Sequence, residues 1–416
     1  MYDLCIIGAG TSGLMASIAA SLYGARVLVI DKNKRPGKKL RLTGGGRCNV
    51  TNLRPVDDLI AHIPGNGQFL HSAFSQFDNQ DIIHFFEEHH VPLKEEDHGR
   101  MFPVSNSSRT IIDTLVQTAL SQGVDFRLQT KVTNILTRDQ KITGVLLDDQ
   151  TTIQCSNVII ATGGATYTYT GSTGDGYRLA KKLGHHITEL YPTESPLVSE
   201  EPFIQNRSLQ GLSLRDVQLT VIDSQHKVKE QHTMDLLFTH FGLSGPCALR
   251  CSMAINQLLK HQKVVTVLLN SKPDWTVADF KALLQSTNAH CRDKAVKNAL
   301  SSVLPERFLQ FTLEQAQIKP TQPFKQITPK QWEQWIQQVQ QLPIRIVKTW
   351  PMEKSFVTGG GIQLKEVNPK TMESKLVQGL YFAGEVLDIN GYTGGFNITA
   401  AFSTGYVAGM HAAMGW

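Results

Sequence analysis

The feature that most constrains this chain is a glycine-rich loop between two apolar segments near its N-terminus. Residues 3–7 (DLCII) predict a buried parallel strand, and the loop GAGTSG follows from Gly8 to Gly13. Helix-forming residues run from Leu14 to Tyr23, and a second apolar run, ARVLVI, ends just before Asp31. This order of strand, glycine loop, helix, strand and acid is a βαβ unit, and it predicts a Rossmann-type α/β fold.

The positions of this first loop suit a bound dinucleotide. Gly8 permits a tight turn, Gly10 lets the backbone approach a pyrophosphate, and Gly13 lets helix and strand pack closely. The start of the helix supplies free N–H groups and the positive end of its dipole. Asp31, 18 residues beyond Gly13, is placed to accept hydrogen bonds from ribose hydroxyls. The predicted contacts to the ADP half are Gly8, Gly10, Thr11, Ser12, Gly13 and Asp31.

The length of 416 residues predicts more than one domain, and 41% hydrophobic residues allow large cores. The pattern of short apolar strands followed by glycine-rich loops stops after Gly184 and resumes after Pro343. We therefore predict one cofactor domain made of residues 1–188 and 344–416. Residues 189–343 form an insertion, with a β-barrel over about 189–270 and helices over about 271–343.

Three further glycine clusters favour FAD over a nicotinamide dinucleotide. They are TGGGRCN (43–49), ATGG (161–164) and the segment from Gly384 to Asn397. A nicotinamide dehydrogenase needs one glycine fingerprint, whereas FAD is longer and the chain often returns at its C-terminus to cover the flavin. A helix starting near Gly395 would aim its positive end at the N1–C2=O edge of the flavin. Asp388 suits a ribityl hydroxyl.

Several long motifs resemble those of the HI0933-like flavoprotein family. They are GKKLRLTGGGRCNVTN (37–52), GRMFP (99–103), ATGG (161–164), TGSTGDGY (170–177), LLFTHFGLSGP (236–246) and FAGEVLDINGYTGGFNITAAFSTG (382–405). The match spans the chain in order. Two departures keep the charge: Lys38 stands where Arg is frequent, and Asp31 where Glu is frequent.

The resemblance implies a glutathione-reductase/fumarate-reductase-type FAD domain with an inserted β-barrel and helical part. It also implies that the glycine loops touch FAD. The contacts expected beyond the first loop are Lys32, Lys39, Thr43, Gly44, Gly45, Gly46, Arg47, Cys48, Asn49, Val132, Ala161, Thr162, Gly163, Gly384, Glu385, Asp388, Gly394, Gly395, Phe396, Asn397 and Ile398. No second Rossmann fingerprint exists for NAD(P)H, which would bind transiently as electron donor. We interpret Gly359–Gly361 as a turn against the flavin rather than a nucleotide site.

Basic residues are concentrated between Lys32 and Arg54, where eight occur without an acidic residue, although the net charge is only +5. This run is either a solvated loop that balances cofactor phosphates or a nucleic-acid surface. The insertion carries 16 Lys and Arg against 14 Asp and Glu, a balance of +2, and contains no recognised RNA-binding module.

The six cysteines include no CxxC pair, and no His or Cys group has metal-ligand spacing, so we expect no metal site. Cys247 and Cys251 would share one helix face as packing residues. No apolar run is long enough to span a membrane, and the N-terminus does not read as a signal peptide. We expect a cytoplasmic protein with no membrane partner.

Two residues are candidate catalytic groups, because reduction of a polarised C=C bond needs a proton donor near the flavin. Cys48 follows Arg47, and a neighbouring cation lowers the pKa of a thiol; the alternative is a small residue packed under the cofactor. His240 lies in THFGLSG; the alternative is a structural hydrogen bond. Arg100 in GRMFP either contacts an anion or forms an internal salt bridge.

Three functions remain open from the sequence. Family members have been linked to reduction of a uridine in ribosomal RNA to dihydrouridine, which makes ribosomal RNA or its precursor a possible partner and which we favour. Others carry labels of bile-acid or aminoacetone metabolism, so the second function is a small-molecule oxidoreductase using NAD(P)H and FAD. The third is a non-redox flavoprotein that uses FAD structurally and binds RNA or protein.

Overall fold

The computed structural model describes residues 1–415. The chain divides into two compact units, which we call the Rossmann unit and the inserted unit. The Rossmann unit comprises Met1–Thr193 and the residues from Met352 onward, and the inserted unit comprises Glu194–Pro351. The Rossmann-type α/β fold predicted from the first loop is confirmed.

Strands and helices are interspersed in the part of the chain before the insertion. They are β1 (Tyr2–Ile7), α1 (Thr11–Leu22), β2 (Val27–Ile30), β3 (Thr51–Asn52), α2 (Val56–Ala61), α3 (His71–Phe74), α4 (Asn79–Glu88), β4 (Leu93–Glu96), β5 (Arg100–Pro103), α5 (Ser108–Ser121), β6 (Asp125–Arg127), β7 (Val132–Arg138), β8 (Lys141–Leu147), β9 (Thr152–Ile160), α6 (Asp175–Lys182) and β10 (Tyr191–Thr193).

The inserted unit follows, and the chain then returns to the Rossmann unit. The inserted elements are β11 (Leu197–Ser199), α7 (Pro202–Gln205), β12 (Ser213–Ile222), β13 (Val228–Phe238), β14 (Gly242–Ser244), α8 (Pro246–Leu259), β15 (Val265–Asn270), α9 (Val277–Cys291), α10 (Val296–Ala299), α11 (Glu306–Gln315), α12 (Pro329–Gln340) and β16 (Leu342–Thr349). The returning elements are β17 (Val357–Gly359), β18 (Leu380–Phe382) and α13 (Phe396–Met414).

The main sheet of the Rossmann unit has seven strands. Strands β6, β2, β1, β9 and β18 are parallel, in that order, and β7 and β8 extend β9 as an antiparallel meander. Strand β2 is apolar throughout and its residues Val27 to Ile30 are all buried, as expected for a parallel strand that is covered on both faces. The short β18 brings the C-terminal segment into this sheet.

Helices α1 and α13 cross closely in the Rossmann unit, and small residues make that crossing possible. A Cβ atom added to Gly405 would lie 2.4 Å from the carbonyl oxygen of Ser12, and one added to Gly409 would lie 2.2 Å from that of Ala16. Any larger side chain at either glycine would therefore push the helices apart. This contact fixes the N-terminus of α13 relative to the first glycine loop.

The inserted unit contains a closed six-stranded antiparallel barrel in the order β11-β14-β13-β12-β15-β16. The last strand, β16, pairs with both β15 and β11 and so closes the barrel after the helices have intervened. The predicted boundary at 343 is therefore too early, because β16 runs to Thr349. The first crossing between units lies after Thr193 rather than after residue 188, since β10 pairs with β17 in the Rossmann unit.

Two kinds of feature are absent from residues 1–415. No helix within residues 1–415 combines the length and the apolar character that a membrane crossing requires. The same residues contain no group of three or more His, Cys, Asp or Glu side chains arranged to hold a metal ion.

Candidate functional site

The candidate site lies at one edge of the main sheet, where four of its strands end in register. Ile7 at the end of β1 is paired with Ile30 of β2 and with Ile160 of β9. Ile160 is in turn paired with Phe382 of β18. The loops that leave these strands therefore begin side by side, as expected at the carboxyl edge of a parallel sheet. They are the first glycine loop, the Asp31 segment, ATGG and the Gly384 loop.

The first loop fits a dinucleotide pyrophosphate. A Cβ atom added to Gly8 would lie 2.4 Å from the Ala161 oxygen, and one added to Gly13 would lie 1.9 Å from the Gly8 oxygen, so packing within the chain requires these glycines. Gly10 differs, because a Cβ atom there would meet no atom within 4 Å. Among the described residues no side chain caps α1. The open space at Gly10 and the uncapped N–H groups are what a bound pyrophosphate would use.

Asp31 is positioned by the backbone of the two loops it joins. Its Oδ2 accepts a hydrogen bond from the amide of Ala9 at 2.7 Å, and its Oδ1 accepts one from the amide of Asn33, also at 2.7 Å. Each carboxylate oxygen retains a further lone pair. The geometry is therefore compatible with the predicted hydrogen bonds from ribose hydroxyls, with the carboxylate already fixed in place.

The TGGGRCN loop contains glycines that its backbone requires. Gly44, Gly45 and Gly46 have φ values of 56°, 67° and 88°, a region that side chains other than glycine rarely adopt. An added Cβ would meet nothing within 4 Å at Gly45 or Gly46. Two successive glycines therefore border open space, consistent with a ligand close to the backbone.

The strand after this loop is bonded to the C-terminal glycine loop. Asn52 Nδ2 donates to the Gly394 oxygen at 2.9 Å, and the hydroxyls of Thr51 and Thr399 lie 2.7 Å apart. Thr399 also donates to the Gly395 oxygen at 3.0 Å. The TGGGRCN segment and the start of α13 are therefore one connected structure, although about 350 residues separate them in the chain.

A buried polar atom marks this junction. Oδ1 of Asn49 is buried and has no hydrogen-bond partner within the described chain, and a Cβ on Gly395 would approach it to 3.1 Å. Gly395 itself has φ 101°, and no side chain among residues 1–415 caps α13. An unsatisfied buried acceptor costs about 1–3 kcal/mol unless a ligand supplies a donor. The flavin ring, which carries an N–H group, fits this requirement, so the residues present suit FAD.

Some predicted contacts hold the chain rather than project into the site. Both atoms of the Asn397 amide group bond to Gly391, with N···O distances of 2.7 Å. Ser12 Oγ donates to the Ala383 oxygen at 3.3 Å, and Phe396 is buried and stacks on His62. Ser12 and Phe396 would therefore meet FAD only through backbone atoms. Val132 and Ala161 are likewise buried, and Ile398 is partly exposed.

Lys39 and Glu385 tie three of the site loops together. The ammonium of Lys39 lies 2.7 Å from Glu385 Oε2 and 2.9 Å from Thr166 Oγ1. Glu385 also accepts hydrogen bonds from the amides of Thr358 at 2.9 Å and Gly164 at 3.3 Å. Burial would raise the pKa of Glu385, but the Lys39 charge and these donors outweigh it and lower the pKa. The carboxylate is therefore ionised and fixes the loops.

Asp388 lies in a different electrostatic environment. It is half-buried, and burial raises its pKa, while hydrogen bonds from Thr188 and Asn66 act in the opposite direction. The side-chain amide of Asn66 donates a hydrogen bond to the main-chain carbonyl oxygen of Asp388 at 2.8 Å and so holds its backbone. A ribityl hydroxyl would relieve part of the burial cost.

Lys32 and Arg47, two basic residues predicted to contact FAD, are paired with acids of the Rossmann unit. Lys32 Nζ lies 2.5 Å from Asp175 Oδ2. Burial raises the pKa of Asp175, but the hydrogen bond and charge of Lys32 outweigh burial and lower that pKa to about 2. Arg47 lies 2.8 Å from Glu96 Oε1 and stacks over the Phe102 ring at 4.1 Å. Their charges are therefore largely neutralised within the chain.

The structure contradicts the expected reactive thiolate at Cys48. The side chain is fully buried, and burial raises its pKa to about 12 even though a hydrogen bond with Thr43 lowers it. Arg47 does not activate the thiol, because the guanidinium is paired with Glu96. The lowered pKa was a wrong expectation, and the geometry agrees with the alternative of a small packed residue.

His240 lies in the inserted unit, in the turn between β13 and β14. It is exposed, and its ring makes an edge contact with Phe241 at 5.1 Å. The turn is held by Thr239, whose hydroxyl donates to the Gly242 oxygen at 3.0 Å and accepts from the Gly242 amide at 3.1 Å. The loop therefore does not depend on a hydrogen bond from His240. The role of His240 as a proton donor stays a prediction.

Two further motifs serve the fold. Arg100 forms an ion pair with Asp97 and lies 5.7 Å from the Phe102 ring centroid, so the internal salt bridge is the interpretation that holds. At Gly360 an added Cβ would lie 2.1 Å from the Glu189 oxygen, and at Gly361 it would lie 2.7 Å from the Leu387 carbonyl carbon. The Gly359–Gly361 segment thus ends strand β17 and packs against its own unit.

The structure adds residues that the sequence reasoning missed. The hydroxyls of Thr166 and Thr358 are hydrogen-bonded to each other at 3.2 Å, and both residues also donate hydrogen bonds to Glu385. Asp175 forms ion pairs with Lys32, Lys131 and Arg178. Asp175 lies within the motif TGSTGDGY (170–177). That motif was the one feature of the sequence that pointed to Asp175 as a site residue. Nothing in the spacing of Thr166 or Thr358 indicated their partner.

Comparison with known proteins covers the whole chain. The profile of the HI0933-like protein Rossmann domain matches residues 2–411. A ribosomal RNA dihydrouridine synthase of Escherichia coli K12 is 32% identical over 406 residues, covering 97% of this chain and 96% of that protein. A 3-dehydro-bile acid delta(4,6)-reductase of Clostridium scindens is 28% identical over 416 residues, covering 99% of each.

A solved structure supports the fold. The 3-ketosteroid delta1-dehydrogenase of Sterolibacterium denitrificans has a TM-score of 0.55 at 12% sequence identity, covering 100% of both chains. At that identity the likeness concerns the fold alone. The match over residues 2–411 identifies the family of the chain, in agreement with the three glycine loops and the Asp31 segment at one sheet edge. The chain belongs to the HI0933-like family of FAD-dependent oxidoreductases.

Proposed function

We propose that this enzyme reduces a uridine of ribosomal RNA to dihydrouridine, with NAD(P)H as electron donor. The observation that carries the reaction class is the register of Ile7, Ile30, Ile160 and Phe382, which sets four predicted FAD-binding loops side by side. The substrate is suggested by the dihydrouridine synthase relative, which is matched over nearly its full length. A ribosomal substrate also implies a cytoplasmic location.

The chemistry divides between cofactor and chain. Bound FAD supplies hydride transfer from NAD(P)H to the substrate. The C5=C6 bond of uridine is conjugated with its C4 carbonyl, so hydride enters at C6 and a proton must reach C5. We propose His240 as that proton donor, because it is exposed and an imidazole can serve as a general acid toward a bound substrate. The buried Cys48 is not proposed for this step.

The Rossmann unit would hold the cofactor with three kinds of group. The N–H groups at the start of α1, beside Gly10, would bind the pyrophosphate, and Asp31 would bind the ribose. The N-terminus of α13 and the Asn49 amide group would face the flavin ring. The Lys39–Glu385 pair would keep the surrounding loops in position.

The decisive experiment is mass spectrometry of ribosomal RNA from cells that lack this gene. We expect one dihydrouridine to disappear and to return when the gene is restored. Purified enzyme with NADPH should form the same nucleoside in RNA extracted from the deletion strain. Unchanged dihydrouridine content in the deletion strain would contradict the proposed substrate.

A second candidate is reduction of a small apolar molecule, which the likeness to the bile acid reductase over 99% of both chains favours. It predicts NAD(P)H oxidation stimulated by a conjugated ketone in the absence of RNA. Anaerobic addition of NADH or NADPH separates both enzymatic proposals from a non-redox flavoprotein. Loss of the oxidised flavin absorbance is expected, and no bleaching with either donor would favour a purely structural FAD.

A further inference from the structure

The basic run between Lys32 and Arg54 separates into two equal groups. Four of its eight basic side chains pair with acids elsewhere in the Rossmann unit. The pairs are Lys32–Asp175, Lys39–Glu385, Arg47–Glu96 and Arg54–Asp58. These four cations are therefore at least partly neutralised within the fold and are less available to a polyanion than unpaired cations.

The other four cations line a single cavity of about 550 Å³. They are Lys34, Arg35, Lys38 and Arg41, all exposed. None of them forms an ion pair within the part of the chain that the structure describes. Unpaired like charges around one cavity repel one another, so the arrangement favours an anionic ligand.

Helix α5 supplies the opposite wall of this cavity. Arg109 adds a fifth cation, and Asp113, the sole acid among the residues that line the cavity, lies 3.2 Å from it as an exposed i,i+4 pair. Ile112 and Val116, also on α5, add apolar surface to the cavity lining. The cavity therefore carries a strong positive charge on a partly apolar floor.

Exposed aromatic rings lie next to this charge. Lys38 Nζ donates to the main-chain oxygen of Tyr169 at 2.6 Å. The Tyr169 side chain is 61% exposed and that of Phe356 is 41% exposed. Tyr167 stands between them, with ring centroids 5.5 Å from Tyr169 and 5.2 Å from Phe356. Large exposed aromatics of this kind can stack on unpaired bases.

We infer that these two features form one RNA-binding surface of the Rossmann unit. The unpaired cations hold the phosphates of a single-stranded segment, and the Tyr169–Phe356 cluster stacks its bases. RNA fits better than a nicotinamide nucleotide, because the cations are exposed and the cavity lining itself contains no aromatic ring to hold an adenine. The choice of RNA as the polyanion rests on the proposed function.

The surface also adjoins the predicted cofactor contacts. Lys38 precedes Lys39, which bonds to Glu385 and Thr166 in the candidate flavin site. The Tyr169 loop follows directly from ATGG and Thr166. An RNA strand bound along this surface would therefore lead toward the site loops of the same unit.

The test compares two triple variants of the FAD-loaded enzyme. The first is Lys34→Gln/Arg35→Gln/Arg41→Gln, and the control is Arg138→Gln/Lys141→Gln/Lys181→Gln, which removes three exposed cations that do not line the cavity. Fluorescence anisotropy measures binding of a labelled single-stranded RNA oligonucleotide at several NaCl concentrations. The first variant should bind on the order of tenfold more weakly at low salt, with a salt slope shallower by roughly 2. The control should bind as the unmodified protein does.

A second pair of variants tests the aromatic cluster. Tyr169→Ala should weaken RNA binding about fivefold without changing the salt slope, whereas Tyr169→Phe should retain the affinity. Equal binding by Tyr169→Ala and Tyr169→Phe would exclude the stacking role. Normal FAD absorbance in every variant shows that the fold is intact.

The outcomes distinguish this surface from the proposed reaction. If the enzyme forms dihydrouridine and the first triple variant binds RNA normally, the surface is wrong and the reaction stands. If RNA binding depends on the three cations but no dihydrouridine forms, the surface stands and the reaction is wrong. A rise in the KM for NADPH with unchanged RNA binding would assign the cavity to the nicotinamide donor and overturn the inference.

Discussion

The Nζ atom of Lys39 lies 2.7 Å from Oε2 of Glu385, although 346 positions separate the two residues in the chain. The Lys39 and Glu385 side chains are only 26% and 20% exposed. Glu385→Gln should therefore lower the free energy of unfolding by about 2 kcal/mol, because Lys39 loses a charge-assisted partner. Urea unfolding at neutral pH measures this. Asp58→Asn, which breaks the exposed Arg54–Asp58 pair, is the control and should cost less than about 1 kcal/mol.

The same pair gives a pH dependence. The pKa of Glu385 is lower in the folded protein than in the unfolded chain, so its stabilisation is present above the unfolded value of about 4.3. It is lost as the pH falls through the lower folded pKa. The stability difference between the native protein and Glu385→Gln should therefore shrink as the pH is lowered below about 4. A constant difference would contradict an ionised Glu385.

Two alanine substitutions in the first loop should have opposite consequences. Gly10→Ala adds a Cβ into open space, whereas the Cβ of Gly13→Ala would lie 1.9 Å from the Gly8 oxygen. We expect Gly10→Ala to leave the thermal stability of the FAD-free protein unchanged and to weaken FAD binding about tenfold or more. Gly13→Ala should destabilise the FAD-free protein itself by about 1–3 kcal/mol. Equal effects of both variants on FAD-free stability would argue against an open cradle at Gly10.

Cys48 should be chemically inert in the folded protein. With a pKa of about 12, only about one molecule in ten thousand carries a thiolate at pH 8. Iodoacetamide should therefore modify the partly exposed Cys291 and leave Cys48 intact, as read by peptide mass spectrometry. Cys48→Ala should retain turnover within about threefold. A loss of a hundredfold or more with FAD still bound would restore Cys48 as a catalytic residue.

His185 should make the Rossmann unit sensitive to mild acid. Its side chain is fully buried, with Nδ1 3.1 Å from Glu366 Oε2 and Nε2 2.9 Å from Ser374 Oγ. Burial lowers its pKa, although the Glu366 charge acts in the opposite direction. Because the folded pKa lies below the unfolded value of about 6.5, stability should decline as the pH falls below that value.

The matched variants isolate that effect. His185→Gln should be less stable than the native protein at pH 8 but should show a flatter decline in unfolding free energy below pH 6.5. His84→Gln, at an exposed position of α4, should follow the native curve. If His185→Gln declined as steeply as the native protein, another group would be responsible for the acid sensitivity.

His240 provides the test of the proton donor. His240→Asn should reduce kcat for RNA reduction about a hundredfold, the usual contribution of a positioned general acid, while FAD content and flavin bleaching by NADPH stay unchanged. His226→Asn, another exposed residue of the inserted unit, serves as control. Full turnover by His240→Asn would remove the residue from the mechanism.

Four parallel strands of the main sheet were predictable because each ends directly before a glycine-containing loop or an acidic residue. The apolar runs before Gly8, Asp31, Ala161 and Gly384 each mark a buried parallel strand, and the register of those ends follows from ordinary sheet geometry. The insertion was visible as a change in composition. Its end was misplaced because β16 is separated by four helices from the strand it joins, and a partner so distant leaves no local signal.

Side-chain partners in the candidate site were much less predictable. The sequence places Arg47 beside Cys48, but only the tertiary fold decides that the guanidinium pairs with Glu96 and leaves the thiol buried. The division of the basic run into paired and unpaired cations depends in the same way on acids such as Asp175 and Glu385. Residue counts therefore overstated the charge that the run presents to solvent.

The packing of α1 against α13 has a consequence for biosynthesis. Strand β18 and helix α13 emerge from the ribosome more than 350 residues after α1, and the complete inserted unit is translated between them. The barrel can close on the nascent chain as soon as β16 appears, whereas the groove of α1 that receives Gly405 and Gly409 stays uncovered until α13 arrives. Helix α1 is thus made long before its partner α13, and we expect the cofactor site to be complete only once α13 has been synthesised.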